Sequence, residues 1–256
     1  MIQIFKFSLL VLSCNFVSQV VYAQSINEVN NALKAINGSI QLEVRKYEGT
    51  NPIEKFFVAQ NSPQFTVANW NMQLSAKPVT NHPEAMDVTA NFKLTEGTAS
   101  STAVSVSFNF SKWSRDNYVM VPAIVYNGNR YHSIGDGYNP AYTKDMYYNP
   151  KVPLTISNNP RLAIEQGKAS VVELQTGNAA TPAMCFYSPA AQKGFIVLTD
   201  QQLKWSNHGM TIAENAAQDS CSFSLSIPAM RKLAPGFGDF HKSGDKAPDW
   251  KAGDEV

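Results

Sequence analysis

Four residues in a tight run, Asn127, Asn129, Arg130 and Tyr131, form the group in this sequence best suited to contact a ligand. Amides, a guanidinium and an aromatic ring can hydrogen-bond hydroxyls or a carboxylate and stack on a sugar face. The dipeptide Asn127-Gly128 equally predicts a type I′ hairpin turn, after which Arg130 and Tyr131 simply pack on the following loop. Both interpretations, a ligand-binding site and a plain turn, are open at this point.

Acidic residues in the sequence do not form a recognisable catalytic pair. Glycoside hydrolysis uses two carboxylates held about 5–10 Å apart across the scissile bond. The acids in predicted loops are Asp116, Asp136, Asp145, Asp200 and Glu214. Their spacing pairs no two of them, so we interpret them as solvated loop acids and predict no catalytic residue.

Metal and cofactor sites are not indicated either. The four histidines are His82, His132, His208 and His241. They have no partners at the spacings of a zinc site or of a catalytic triad. The sequence also contains no phosphate-binding loop and no dinucleotide fingerprint. We therefore expect neither a metal nor a cofactor.

The N-terminus predicts export. Lys6 precedes a short apolar run over 7–12, and Ala23 provides the small residue of a cleavage site, so residues 1–23 are predicted to be a signal peptide. Cleavage at Cys14 instead would produce a lipoprotein. We expect a periplasmic or outer-membrane-associated protein without a transmembrane segment. The net charge of +1 argues against nucleic acid as a partner.

Cys185 and Cys221 are the two cysteines that follow the predicted cleavage site at Ala23. In an oxidising compartment such a pair predicts a disulfide. Two buried thiols in strands are an equally good interpretation.

Hydrophobic periodicity predicts an all-β, antiparallel β-sandwich with one short N-terminal helix. Residues 24–38 have helical spacing, whereas 39–233 alternate with a period of two. The run 118–126 predicts a central strand, and 131–160, rich in proline and tyrosine, predicts a long surface loop. Residues 234–256 predict a connector and the start of a further strand, as if the chain were truncated.

Several segments carry a family resemblance: Tyr118 to Tyr131, Pro160 to Leu162, Leu174 to Gly177, Gly194 to Thr199, and Trp250 to Val256. Together they resemble the N-terminal supersandwich region of exported bacterial glycoside-hydrolase-like proteins, in which the sandwich precedes an (α/α) toroid. The resemblance implies a supersandwich-like fold, with the general acid and base on the toroid and the sandwich forming one wall of the cleft.

The predicted function is therefore the non-catalytic sandwich domain of an exported glycoside hydrolase or polysaccharide-degrading protein. Its expected partners are an oligo- or polysaccharide and its own C-terminal helical domain, without which we expect no activity. Two alternatives stay open: a stand-alone periplasmic or surface glycan-binding protein, and a structural, adhesin-like domain.

Overall fold

The computed structural model describes residues 29–59, 64–67, 69–130, 160–203, 206–235 and 240–256. Within them, helix α1 comprises 29–34. The strands are β1 (Gly38–Glu48), β2 (Asn51–Ala59), β3 (Gln64–Val67), β4 (Trp70–Val79), β5 (His82–Leu94), β6 (Thr98–Ala99), β7 (Thr102–Ser111), β8 (Tyr118–Val121), β9 (Val125–Tyr126), β10 (Ser170–Gln175), β11 (Ala183–Ser188), β12 (Lys193–Leu198), β13 (Gln202–Leu203), β14 (Ser206–Asn207), β15 (Gly209–Glu214), β16 (Ser220–Ile227), β17 (Leu233–Pro235), β18 (Phe240–Lys242) and β19 (Trp250–Lys251). Short 3-10 turns at Asn127–Asn129 and Thr176–Asn178 follow β9 and β10.

A six-stranded antiparallel sheet in the order β10-β15-β16-β7-β1-β2 forms one layer of the sandwich. Its strands alternate between an apolar and a polar face, because successive side chains of a strand point in opposite directions. Ile40, Leu42 and Val44 of β1 are buried in the core. Leu42 lies opposite Val106 of β7, and Val106 lies opposite Leu225 of β16, so the apolar face is continuous across the sheet.

A four-stranded antiparallel sheet, β12-β11-β8-β9, packs on that apolar face. Phe186 of β11 lies edge-on to Phe110 of β7 with 4.8 Å between ring centroids, and Phe195 of β12 lies 5.0 Å from Phe108. A three-stranded sheet, β3-β4-β5, adds Met72 to the same hydrophobic core. The predicted antiparallel sandwich with one short helix is confirmed, and its sheets curl into a half-barrel.

Two of the longer strands, β2 and β15, have only a weak strand pattern of their own in the sequence. β2 contains Pro52, Glu54 and Lys55, which are depleted in strands. It lies at the edge of the six-stranded sheet, where such residues are tolerated. β15 begins with Gly209 directly after other short strands, so its alternation extends over few residues.

The predicted single strand over 118–126 is wrong. β8 ends at Val121 because Pro122 follows, and proline has no N–H for a sheet hydrogen bond. Ala123 has a φ of 70°, and the chain turns back so that β9 pairs with β8. The Asn127-Gly128 dipeptide therefore lies in the 3-10 turn after β9 and not in the predicted hairpin turn.

The region predicted as a connector, residues 234–256, packs on the sandwich through its last residues. Trp250 is fully buried, stands edge-on to Trp70 at 4.8 Å and donates its indole N–H to the Thr102 carbonyl oxygen at 2.8 Å. Val256 and Phe92 exchange two backbone hydrogen bonds of 3.0 and 2.7 Å. Residues 253–256 thus pair with β5 at the edge of the three-stranded sheet, while β19 pairs with β6.

Some sequence predictions fall on residues that the structure does not describe. They concern the signal peptide and Cys14 within 1–28, and the loop with Tyr131 within 131–159. Across the described ranges, no helix combines the length and the apolar character needed to cross a membrane.

The polar face of the six-stranded sheet contains a buried carboxylate. Glu43 of β1 is 2% exposed and accepts hydrogen bonds from Arg45 Nε at 2.7 Å, Lys55 Nζ at 2.9 Å and the Ser105 hydroxyl at 3.2 Å. Burial alone would raise the pKa of Glu43. The charges and hydrogen bonds of Arg45 and Lys55 outweigh burial and hold this pKa below its ordinary value.

We expect Glu43→Gln to lower the free energy of unfolding by about 1–3 kcal/mol at neutral pH, because the cations lose their acceptor. A folded-state pKa below the unfolded-state value means that the ionised form stabilises the protein above the unfolded pKa. This stabilisation is lost as the pH falls through the folded pKa. Urea unfolding at neutral and acid pH measures the difference, which should shrink in acid. Asp87→Asn, in the exposed pair with Lys77, is the control and should have little effect. A constant difference at all pH values contradicts the prediction.

Candidate functional site

The 3-10 turn at Asn127–Asn129 is held by the side chain of Asn129. This amide is buried and donates to the carbonyl oxygens of Ile124 at 2.8 Å and Pro160 at 2.9 Å. Its Oδ1 accepts the backbone N–H of Tyr126 at 3.0 Å. All three residues of the turn have φ between 50° and 68°, which asparagine and glycine adopt more readily than other residues.

Arg130 forms an ion pair with Glu214 inside the protein. Arg130 Nη2 lies 2.6 Å from Glu214 Oε1, which also accepts the indole N–H of Trp113 at 2.8 Å. The Glu214 side chain is 0% exposed and that of Arg130 is 11% exposed. Arg130 also donates to the carbonyl oxygen of Ala163. The structure thus joins a predicted ligand-binding residue to one of the candidate acids.

These contacts hold together the two chain segments that precede and follow residues 131–159. Leu162 donates its backbone N–H to the Gly128 carbonyl oxygen at 2.9 Å, and Arg115 donates to the Ile164 carbonyl oxygen. The Asn-Gly-Asn-Arg motif supplies the amide and the guanidinium that make these contacts. Intramolecular hydrogen bonds therefore set the conformation of the motif.

The predicted ligand-binding residues therefore divide into two groups. Asn129 and Arg130 are bound to intramolecular partners. Asn127 is exposed, and Tyr131 lies outside the described residues. Ligand binding by this turn stays a prediction, and a ligand for Arg130 would have to compete with a buried carboxylate.

We expect Arg130→Met to lower the free energy of unfolding by about 3–5 kcal/mol, because it leaves the Glu214 carboxylate buried without a cation. Adding Glu214→Gln should recover much of this loss, since a neutral amide is cheaper to bury. Urea unfolding of both single variants and the double variant gives the coupling energy. Arg115→Met, which removes a bond to a backbone carbonyl, should cost about 1 kcal/mol and is the control. Strictly additive effects of the two single substitutions on the free energy of unfolding would contradict a stabilising ion pair between Arg130 and Glu214.

The other candidate acids and histidines among the described residues do not converge on one place, and Asp136, Asp145 and His132 lie outside those residues. Asp116 and Asp200 are exposed. The interpretation of Glu214 as a solvated loop acid is wrong, because it is the last residue of β15 and is buried. Burial lowers the pKa of His208, whose Nδ1 lies 2.8 Å from the Thr199 hydroxyl. The described part of the chain contains no group of three or more potential ligands arranged for a metal ion.

Both cysteines are free thiols, and the structure does not contain the predicted disulfide. Cys185 is partly exposed and alternates along β11 with Met184 and Phe186, which are buried. Cys221 is buried on the core side of β16, opposite Glu214 in register. Burial raises the pKa of both thiols, and the charge of Glu214 raises that of Cys221 further.

We expect iodoacetamide to label Cys185 in the folded protein and Cys221 only after unfolding, because alkylation needs an accessible thiolate. The raised pKa of Cys185 should make its labelling slower than in the unfolded chain at the same pH and faster as the pH increases. Peptide mass spectrometry with and without urea measures both sites. Equal labelling of the two cysteines in the folded protein, or a peptide linked through both, contradicts this prediction.

The outer face of the four-stranded sheet is apolar and exposed. Its outward side chains, named here the tyrosine face, are Tyr118, Met120, Tyr126, Cys185, Tyr187, Ile196 and Leu198. Apart from the cysteine, their exposed fractions lie between 38% and 61%. Soluble proteins rarely expose continuous apolar patches of this kind unless the patch binds something. The tyrosine face is therefore the best candidate for a binding surface.

Register makes the tyrosine face continuous across the sheet. Tyr118 and Tyr187 lie opposite each other on β8 and β11, with ring centroids 6.5 Å apart and planes within 6° of parallel. Cys185 lies between Met120 on one side and Ile196 on the other. The ring pair and its neighbours thus form one surface over adjacent strands.

The sequence pattern does not identify this face, because 118–126 is apolar enough to indicate a buried strand. The available signal is an alternation within the apolar run. Tyr118 and Met120 alternate with Val119 and Val121, and both valines are completely buried. Tyrosine and methionine at alternate positions are typical of a binding surface.

Comparisons with known proteins provide no relative. No family model, no curated protein and no solved structure matches the chain. The resemblance to the sandwich region of glycoside-hydrolase-like proteins stays a prediction.

Proposed function

We propose that this chain is a non-catalytic, carbohydrate-binding β-sandwich of an exported protein, and that an oligo- or polysaccharide binds on its tyrosine face. The observation that carries the proposal is the exposure of three tyrosine rings, Tyr118, Tyr126 and Tyr187, on one uncharged face of a single sheet. This function suits both a stand-alone binder and the sandwich of a longer polysaccharide-degrading protein.

Tyrosine rings match the chemistry of a sugar. A pyranose has an apolar face of C–H groups that stacks on an aromatic ring and hydroxyls that hydrogen-bond at the ring's edge, and tyrosine provides both an apolar ring and a hydroxyl. A neutral face also avoids the cost of desolvating a charge when the sugar displaces water. These properties favour a neutral or weakly charged glycan over a polyanion.

Each of the three rings has an intramolecular contact that orients it before any ligand binds. The Tyr126 hydroxyl accepts the backbone N–H of Ala123 at 3.1 Å. Tyr118 and Tyr187 contact each other across β8 and β11. Rings that are already ordered lose less conformational entropy on binding, so a flat and rigid platform binds more tightly than a mobile one.

The non-catalytic part of the proposal is supported by the buried acids. Glu43 and Glu214 are the buried acidic side chains among the described residues. Each of them is ion-paired, Glu43 with Arg45 and Glu214 with Arg130. A general acid needs a proton near neutral pH, and the cations around Glu43 hold the pKa of that carboxyl below its ordinary value.

We expect Tyr118→Ala/Tyr187→Ala to weaken polysaccharide binding by about tenfold or more, or about 1.4 kcal/mol, because the ring pair is removed. Tyr118→Phe/Tyr187→Phe keeps both rings and should retain most of the affinity. Val171→Ala/Leu233→Ala removes apolar side chains that are exposed elsewhere and serves as the matched control. The measurement is retention on insoluble cellulose, chitin and starch, and affinity electrophoresis in soluble xylan, β-glucan and pectin.

Two results would overturn the proposal. Retention on none of these polysaccharides would exclude glycan binding, and full retention by the Tyr118→Ala/Tyr187→Ala variant would move the site away from the tyrosine face.

Sedimentation velocity distinguishes glycan binding from self-association. A concentration-dependent dimer that this variant loses would show that the face binds a second copy of the chain.

A further inference from the structure

We propose that a cavity on the polar face of the six-stranded sheet is a second binding site, specific for a short neutral saccharide or a similar polyol. The cavity has a volume of about 690 Å³ and lies where β1, β7, β15 and β16 meet the turn after α1. This volume is within the range of sites that bind small molecules. Its location on the other sheet separates it from the tyrosine face.

Seven residues with hydroxyl or amide side chains line this cavity: Asn37, Ser39, Asn109, Ser111, Asn215, Ser220 and Ser222. Strand alternation places them there. Asn109 and Ser111 alternate on β7 with Phe110, which is buried in the core. Ser220 and Ser222 flank Cys221 on β16 in the same way. The cavity thus combines hydroxyl and amide groups with a larger apolar area, to which Ala213 and Phe110 belong.

The chemistry of this lining selects the ligand class. Serine hydroxyls and asparagine amides each both donate and accept hydrogen bonds, as sugar hydroxyls do. An apolar ligand would displace water from these groups without replacing their hydrogen bonds. Each hydrogen bond lost in this way costs free energy. Among the described residues, the cavity is lined by one cationic residue, Lys34, and by one acidic residue, Glu214. Anion sites normally use several cations or a bidentate guanidinium, so the lining favours a neutral ligand.

Internal hydrogen bonds orient part of the lining in advance. Asn109 Nδ2 donates to Gln41 Oε1 at 2.9 Å, which fixes the amide plane. Asn215 donates to Asp219 Oδ1 at 2.7 Å and accepts the backbone N–H of Ser220 at 3.1 Å. The end of β15 is thereby tied to the start of β16, and Ser220 is held next to Asn215.

The test is an NMR titration of the full chain with maltose, cellobiose and lactose, and separately with glucuronic acid. We expect at least one neutral disaccharide to shift the backbone amides of Asn109, Ser220 and Ser222 in a saturable way. Ser222→Val should weaken that binding about tenfold or more, because it fills the cavity and removes a hydroxyl. Thr211→Val, on the same face but outside the cavity, is the matched control and should bind normally.

Both variants place a β-branched residue in a strand, which the strand tolerates, and Ser220→Val provides a second substitution in the cavity. The proposal fails if none of the three disaccharides shifts the cavity amides, or if Ser222→Val and Ser220→Val both bind as tightly as the unmodified chain. Tighter binding of glucuronic acid would overturn the assignment of a neutral ligand. Tyr118→Ala/Tyr187→Ala should leave the titration unchanged, so this site and the tyrosine face can fail independently.

Discussion

The buried carboxylate of Glu214 holds together parts of the sandwich that are distant in the sequence. It accepts from Trp113, which follows β7, and from Arg130, which follows β9, while its own strand lies between β10 and β16. Placing an ionised carboxylate away from water costs several kcal/mol, which a close cation and hydrogen bonds offset only in one geometry. A slip of β15 by one residue would turn Glu214 outward and Ala213 into the core. The ion pair therefore helps to fix the register on which both outer faces depend.

Alternation along the strands gives the two sheets outer faces of opposite chemistry around one core. On the four-stranded sheet, buried Phe186 alternates with exposed Tyr187, so the outer face is aromatic and uncharged. On the six-stranded sheet, buried Phe223 and Cys221 alternate with the partly exposed Ser222 and Ser220, so this end of the outer face offers hydroxyls. A single layer of core side chains thus supports an apolar platform on one side and a hydrogen-bonding surface on the other. The two surfaces suit the two aspects of a carbohydrate, its C–H faces and its hydroxyls.

The sequence predicts the fold class well because alternation is a local signal, and β1, β7 and β16 are all recognisable from their own residues. It does not predict the pairing of Arg130 with Glu214, which are separated by 84 positions and meet only after the sheet has formed. Glu214 resembles a loop acid because Asn215 follows it, a residue typical of turns. The tyrosine face is missed for a related reason. Hydrophobicity alone does not distinguish the exposed Tyr118 from the buried Val119, since the difference depends on which neighbour covers each side chain.

The Asn-Gly-Asn-Arg motif shows how a distinctive sequence can be structural and still matter for function. Its asparagines adopt positive φ, and its amide and guanidinium bind backbone carbonyls on the far side of 131–159, so few other residues could replace them. The backbone geometry of the turn requires the asparagines and the glycine, and the buried charge of Glu214 requires the arginine. Residues of the tyrosine face and of the polar cavity are common strand residues, and what distinguishes them is their position. In a sandwich, binding chemistry can therefore reside in ordinary residues on the outer faces, while the most recognisable motif secures the frame that presents them.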